Sequence, residues 1–425
     1  MTPDLKPDLK NVRVPASLLE ADFPADKDGL VALDIETADG EISAISLPSG
    51  AGQGGKMVLP GLIDSHTHID KGHIWPRKPN PDGSRLSALA TVHEDRTANW
   101  SATDVSRRMD FSLRCAYAHG TVALRTHLDS IPPQEEISWP VFEEMRERWA
   151  DRIELQAVCL IASDRLNDDP WFHSLADRVA AAKGILGVVT LPTEDIDTRL
   201  DLIFRAALDR GLNLDFHVDE TGDTNARTME NIAEAALRHR FEGDIMVGHC
   251  CALSRQPTDV ADRIMDKVAQ AGLSVVSLPL CNMYLQDRNP AGTTPRWRGV
   301  TLLHELAGRG VKVNVASDNT RDPFYAYGDL DLVEVLRESV RIGHLDHPVG
   351  TWPRAVCATP AVSMGLERSG MIGVGQPADL ILFKARTWTE LFARPQSDRL
   401  VIRNGKAIDA TPPDYAELDD LMEVA

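Results

Sequence analysis

The rhythm of apolar positions changes twice along the chain. Up to about residue 57 apolar residues come in short runs separated by turns. Val31–Ile35 and Glu41–Ile45 flank an Asp39-Gly40 pair, which predicts a hairpin. Gly52-Gln53-Gly54-Gly55 then marks a joint. From Met57 the rhythm becomes strand, then helix, repeated. Eight apolar runs rich in β-branched residues follow: Leu59–His68, Thr121–Thr126, Ile153–Ile161, Ile185–Leu191, Leu212–Val218, Ile245–Cys250, Ser274–Leu280 and Val311–Ser317. Between them, segments such as Asp104–His119, Leu200–Arg210, Met229–Arg240 and Val260–Ala271 carry apolar residues at helical spacing. Short continuous apolar strands alternating with amphipathic helices predict parallel strands covered by helices. Eight such units predict an α/β fold of the (β/α)8 TIM-barrel type. A doubly wound open sheet would carry a glycine-rich phosphate turn after its first strand, and Asp64-Ser65-His66-Thr67-His68 is no such turn. After Gly365 strands and turns return, in Pro377–Phe383 and Arg399–Gly405. The expected organisation is a barrel over residues 58–365 and a small β-sandwich domain built from 1–57 and 366–425.

Composition narrows the function classes. The net charge of −19 over 425 residues, with no basic run to offset it, disfavours nucleic acid and anionic membranes as partners. Six cysteines in this length make no disulfide framework, and the adjacent Cys250 and Cys251 fit a reducing compartment. Met1-Thr2-Pro3-Asp4 does not open a signal peptide, and no apolar run approaches the ~20 residues of a membrane helix. A cytoplasmic protein acting on a small molecule is expected, with a homo-oligomer left open.

The chemistry is carried by strand ends. The first barrel run finishes in His66-Thr67-His68, and residues two apart on a strand face the same side. Alone, such a pair is as well read as two polar residues at a strand mouth. Three later strand ends change that reading, because they carry His217, His249 and Asp318. The carboxyl ends of barrel strands converge on one mouth. His66, His68, His217 and Asp318 then offer three nitrogens and one oxygen, a set suited to one divalent ion, Zn2+ or Fe2+. Such an ion makes hydroxide available near neutral pH. Glu220, three residues past His217, is placed to shuttle protons. His249 is placed to polarise the attacked centre or to hold the hydroxide.

These motifs resemble the amidohydrolase superfamily, and within it the bacterial cytosine deaminase-like branch. Pro60-Gly61-Leu62-Ile63-Asp64-Ser65-His66-Thr67-His68-Ile69-Asp70 resembles the superfamily's first-strand motif. Arg125-Thr126-His127-Leu128-Asp129 and His217-Val218-Asp219-Glu220 are similar to runs of the branch. Pro279–Gln286 with Arg298–Thr301 resembles its seventh-strand loop, Ser317-Asp318-Asn319 through Tyr325 its eighth, and Pro377-Ala378-Asp379-Leu380 the return strand into the small domain. The resemblance covers nearly the whole chain. It implies a mononuclear site, since no lysine ends the third or fourth strand and Glu194 is the one candidate bridging acid.

The resemblance also implies hydrolytic deamination of an amino-substituted nitrogen heterocycle, cytosine-like or related, with release of ammonia. In that chemistry Asp318 binds the ion and takes a proton from the attacking water, Glu220 protonates the ring nitrogen, and His249 holds the oxygen. The chain departs from the branch where the ring is read. The position of its glutamine reader is Ala162, flanked by Ile161; Asn319 stands where a second aspartate is common, and Phe324 where tryptophan is common. A pocket without the carboxamide leaves a pyrimidine's polar edge unpaired. Gln286 and His127 are candidates to hydrogen-bond the ring. Lys71, Trp75 and Arg77, after the first strand, either close over the substrate or stabilise their own loop. Two other reactions fit the same scaffold: opening of a cyclic amide, and removal of an alkylamino group from a triazine. A binding protein that has lost catalysis is a third reading, set against the intact ligand set. The zinc nucleoside deaminase fold is excluded, because no Cys-x-x-Cys occurs.

Overall fold

The computed structural model describes residues 9–50, 52, 54–289 and 292–423. Eight strands, each paired with the next in sequence, form a nearly closed parallel barrel: β1 (Leu62–Thr67), β2 (Thr121–Asp129), β3 (Glu154–Ala162), β4 (Leu186–Val189), β5 (Leu214–Val218), β6 (Ile245–His249), β7 (Ser274–Ser277) and β8 (Lys312–Val315). The ring closes where the Asp318 N–H donates to the His66 carbonyl at 2.9 Å and Thr67 bridges Asp318 in parallel. Every residue of β5 and β6 is buried, as expected of strands covered on both faces. The amphipathic segments form the covering helices Ala102–Ala118, Ile196–Arg210, Thr228–His239 and Thr258–Gln270. No helix of the described residues is long and apolar enough to cross a membrane.

Three elements differ from the sequence pattern, each for a local reason. The run Leu59–His68 breaks at Gly61, with Val58–Pro60 paired antiparallel to Leu380–Leu382 and the barrel beginning at Leu62. A Cβ at Gly61 would sit 2.2 Å from Val122 Cγ1, so this crossing point admits no side chain as it stands. The run Ser274–Leu280 stops as a strand at Ser277, because Pro279 opens the helix Pro279–Leu285. The segment after β1 is not all loop. It carries helix α1 (Arg85–Asn99), whose N-cap Ser84 accepts from the Ser87 N–H.

Packing divides the chain into two compact units. One comprises the described residues of Met1–Asp64, Leu113–Ala123 and Leu330–Asp414, the other Ser65–Ser112, Leu124–Asp329 and those from Tyr415 onward. The first holds two antiparallel sheets, Val12–Pro15 with Leu30–Ala38 and Glu41–Ser46, and Val58–Pro60 with Leu380–Leu382, Leu400–Arg403 and Lys406–Ala407. Asp39 and Gly40 turn the first hairpin at φ +52° and +83°, as a primed turn requires. Both sheets feed one apolar cluster that includes Val12, Leu33, Ile35, Val58, Leu380 and Ile402. In the second unit the acidic chain end forms two helical turns, and Arg107 grips Asp420 there. The Met1-Thr2-Pro3-Asp4 start lies outside the described residues, as does Gln53 of the glycine-rich joint.

Close approach of strands sets one stability prediction. A Cβ on Gly187 of β4 would lie 2.2 Å from Val158 Cγ1 and 2.3 Å from the Cys159 carbonyl oxygen, and a backbone atom cannot step aside. Gly187→Ala should cost about 1–3 kcal/mol and lower the thermal unfolding midpoint. Gly308→Ala, at a helical position where a Cβ meets nothing within 4 Å, should leave it unchanged or raise it. Equal midpoints for the two variants would contradict this account of strand packing.

Candidate metal centre and active site

The strand ends bring His66, His68, His217, His249 and Asp318 together, all of them buried. Backbone geometry helps aim two of them: His249 and Asp318 take φ of +68° and +64°, uncommon for residues with a Cβ. His68 Nε2 stands 3.2 Å from His217 Nε2 and 3.3 Å from Asp318 Oδ1, and His66 Nε2 is 3.6 Å from the same oxygen. Donor atoms of His66, His68, His127 and His217 lie within 4.8 Å of one another, and so do those of His66, His249 and Asp318.

Two observations test whether these residues fit a cation. Although fully enclosed, His66 Nε2 and both Asp318 carboxyl oxygens have no hydrogen-bond partner among the described residues. Burial, reinforced by neighbouring cationic forms, pushes His66, His68 and His217 well below the usual histidine range. They are therefore neutral imidazoles near pH 7, the form that binds metal. Burial, with Glu220 next in effect, pushes the Asp318 carboxyl well above its usual value. A divalent cation would invert that balance by stabilising the carboxylate. The residues fit the group. Glu194 is exposed and belongs to neither donor cluster.

Beside this cluster, Glu220 Oε1 is 3.6 Å from His249 Nδ1, and Arg85 Nε donates to Glu220 Oε2 at 2.8 Å. Burial raises the Glu220 carboxyl, but His249 and then Arg85 outweigh it, and its pKa lies below the usual value. Burial also lowers His249, so Arg85 is the cation that persists at neutral pH. The Asn282 amide donates to His249 Nδ1 at 2.8 Å, which leaves the proton of a neutral ring on Nε2, an atom with no partner among the described residues.

A cavity of about 400 Å³ opens onto these groups. Ile131, Ile161, Ala162, Val189 and Leu191 form an apolar side, with Leu89 and Val92 from α1. Lys71, Asp129 and Arg96 form a charged side, on which one carboxylate holds both cations at 2.7 Å. Of the ring-reading candidates, Ala162, Asn319 and Phe324 line the cavity. Asn319 Nδ2 donates to Asp322, while Lys71 lies 5.7 Å from the Phe324 ring centre. His127 and Gln286 are not brought to the cavity wall. His127 sits 4.0 Å ring to ring from His66 and meets Asp215 Oδ1 at 3.2 Å; Arg125 also holds Asp215. The Gln286 amide donates to the Glu220 carbonyl at 3.4 Å, under Gly299. Arg77 ties its loop to two helices, buried between Asp95 of α1 and Asp104 of Ala102–Ala118. Sequence reasoning missed Arg85, Arg96 and Asn282. The four-, three- and four-residue spacing of Arg85, Leu89, Val92 and Arg96 was the available signal for α1.

Comparison with known proteins agrees with this architecture. Residues 134–409 match the model of the Amidohydrolase family. The chain is 55% identical to a pterin deaminase of Rhizobium rhizogenes, over 97% of this chain and 96% of that protein. It is 23% identical to N-isopropylammelide isopropyl amidohydrolase of Pseudomonas sp. strain ADP, over 83% and 86% of the two chains. Among solved structures, 5-methylcytosine deaminase of Klebsiella pneumoniae liganded with phosphonocytosine superposes with a TM-score of 0.80 at 22% identity, over 95% of this chain and 98% of that one. The strand-end cluster, the barrel that gathers it and these matches lead to one conclusion: the chain belongs to the amidohydrolase family.

Proposed function

We propose that the protein is a metal-dependent hydrolytic deaminase of an amino-substituted nitrogen heterocycle, and that its ring is a pterin. The observation that carries the choice of ring is the 55% identity, over nearly all of both chains, to a pterin deaminase. The cavity agrees with it. Ala162 stands on its wall where the cytosine deaminase branch has a glutamine, and the space a carboxamide would fill is left to a wider ring.

One ion, zinc or ferrous iron, held by His66, His68, His217 and Asp318, supplies Lewis-acid activation of water when bound. The chain's own groups carry the protons. Asp318 takes the first proton of the attacking water. Glu220 delivers one to the ring nitrogen beside the amino-bearing carbon, so the carbon accepts the oxygen without building charge on the ring. His249 Nε2 donates to that oxygen as it becomes tetrahedral. The proton held by Asp318 passes to the amino nitrogen and ammonia leaves; Glu220 recovers the remaining hydroxyl proton as the ring carbonyl forms, so water's two protons end on the ring nitrogen and the ammonia. Catalysis is assigned to residues 58–365, and the compartment to the cytoplasm, in keeping with six free thiols.

Two experiments follow. His217→Ala should hold less than about a tenth of the wild-type metal by elemental analysis, while His173→Ala, an exposed residue bonded to Asp168, should hold the full amount. Equal metal in both would remove His217 from the ligand set. An ammonia-release assay of metal-loaded protein should favour pterin over cytosine. Glu220→Gln should keep its metal and lose about 10²–10⁴-fold in kcat. Release of an alkylamine from an alkylaminotriazine, with no ammonia from pterin, would support the second reading, which the Pseudomonas relative suggests.

A further inference from the structure

The proposed proton carrier is held from outside the ring of strands. Helix α1 lies between β1 and β2 and lays one face along the cavity, through Arg85, Leu89, Val92 and Arg96. Each end of that face carries a guanidinium, and each guanidinium meets a carboxylate of the cavity wall. Arg85 Nε donates to Glu220 Oε2 at 2.8 Å, and Arg96 Nη1 donates to Asp129 Oδ2 at 2.7 Å. The helix thus spans the wall with a clamp at either end.

The two clamps differ in what they hold. Asp129 is also bonded by Lys71, so its plane is fixed without Arg96. Among the described residues, Arg85 supplies the one side-chain hydrogen bond on the Glu220 carboxylate. That bond makes the two oxygens unequal. Oε2 is occupied, and Oε1 remains free on the side of His249, 3.6 Å from its Nδ1. A glutamate turns about three side-chain torsions, and a proton carrier must hold one oxygen in one place. A planar guanidinium directs its Nε–H along a fixed line, which a flexible ammonium does not.

We propose that Arg85 is a positioning residue for the deamination: carried on α1, it fixes the Glu220 carboxylate so that Oε1 faces the substrate. This rests on the reading of Glu220 as proton carrier. Arg96 lies on the same helix face but holds Asp129 rather than Glu220, so its variants loosen α1 without freeing the Glu220 carboxylate.

The test uses metal-loaded full-length protein, with Arg85→Ala, Arg85→Lys, Arg96→Ala and Glu220→Gln assayed by ammonia release. Arg85→Ala should lower kcat by about 10²-fold, the scale of a misplaced catalytic group, and change KM by less than about threefold. Guanidinium ion at millimolar concentration should restore part of that loss, and Arg85→Lys should recover less than the ion does. Arg96→Ala, which also alters the charged side of the cavity, should change KM more than kcat and show no rescue of kcat by guanidinium. Thermal midpoints and metal content identify any variant that fails to fold, and Arg85→Lys then carries the kcat comparison. The inference is overturned if Arg85→Ala keeps kcat within about twofold of wild type, if its loss falls on KM alone, or if Arg96→Ala shows the same loss and the same rescue. Glu220→Gln separates the two levels. If it is inactive while Arg85→Ala is fully active, the positioning role alone fails. If Glu220→Gln is active, the proton-carrier reading fails and this inference with it.

Discussion

The structure depends on the seam that closes the barrel. Asp318 follows β8, and its N–H bonds to the carbonyl of His66 on β1 at 2.9 Å. That bond joins the end of the sheet to its beginning, and it sets the Asp318 side chain against His66 and His68. A strand that slipped by one residue would turn every side chain to the other face. Closure and ligand convergence are therefore the same event. Residues separated by some 250 positions become neighbours because the ring has to close.

Closure also buries charge, and the chain answers with fixed partners. Asp129 takes Lys71 and Arg96, and Glu220 takes Arg85. Breaking such a buried pair leaves an uncompensated charge and costs about 3–5 kcal/mol. Asp318 differs: among the described residues neither of its buried carboxyl oxygens has a hydrogen-bond partner, nor has either ring nitrogen of His66 beside it. A buried carboxylate with both oxygens unmet, set beside unmet imidazole nitrogens, calls for an explanation, and a cation supplies it.

Much of this was legible in the sequence because strand periodicity and strand-end chemistry are local. The runs ending at His217 and His249 became β5 and β6 with almost the expected bounds. What local patterns did not reveal came from packing between segments. Gly61 looked like part of one strand, and only Val122 across from it shows why the strand breaks there. Helix α1 has Leu86 and Leu89 exposed, so its apolar residues do not form the single buried stripe that marks a helix in sequence. Arg85 therefore carries a weaker local signal than the strand-end residues. His127 and Gln286 have the chemistry of ring readers, but their donors are spent on Asp215 and on the Glu220 carbonyl. The sequence identifies the atoms a residue can offer, while the neighbours decide where they point.

The central claim is that side chains remote in sequence share one ion at the open end of the barrel. X-ray absorption at the metal edge of the loaded protein addresses it most directly. The account predicts only nitrogen and oxygen neighbours at about 2.0–2.2 Å, with the outer-shell scattering of three imidazoles. A sulfur neighbour at about 2.3 Å, which would draw in Cys251 or Cys281, or fewer than three imidazoles, would contradict it.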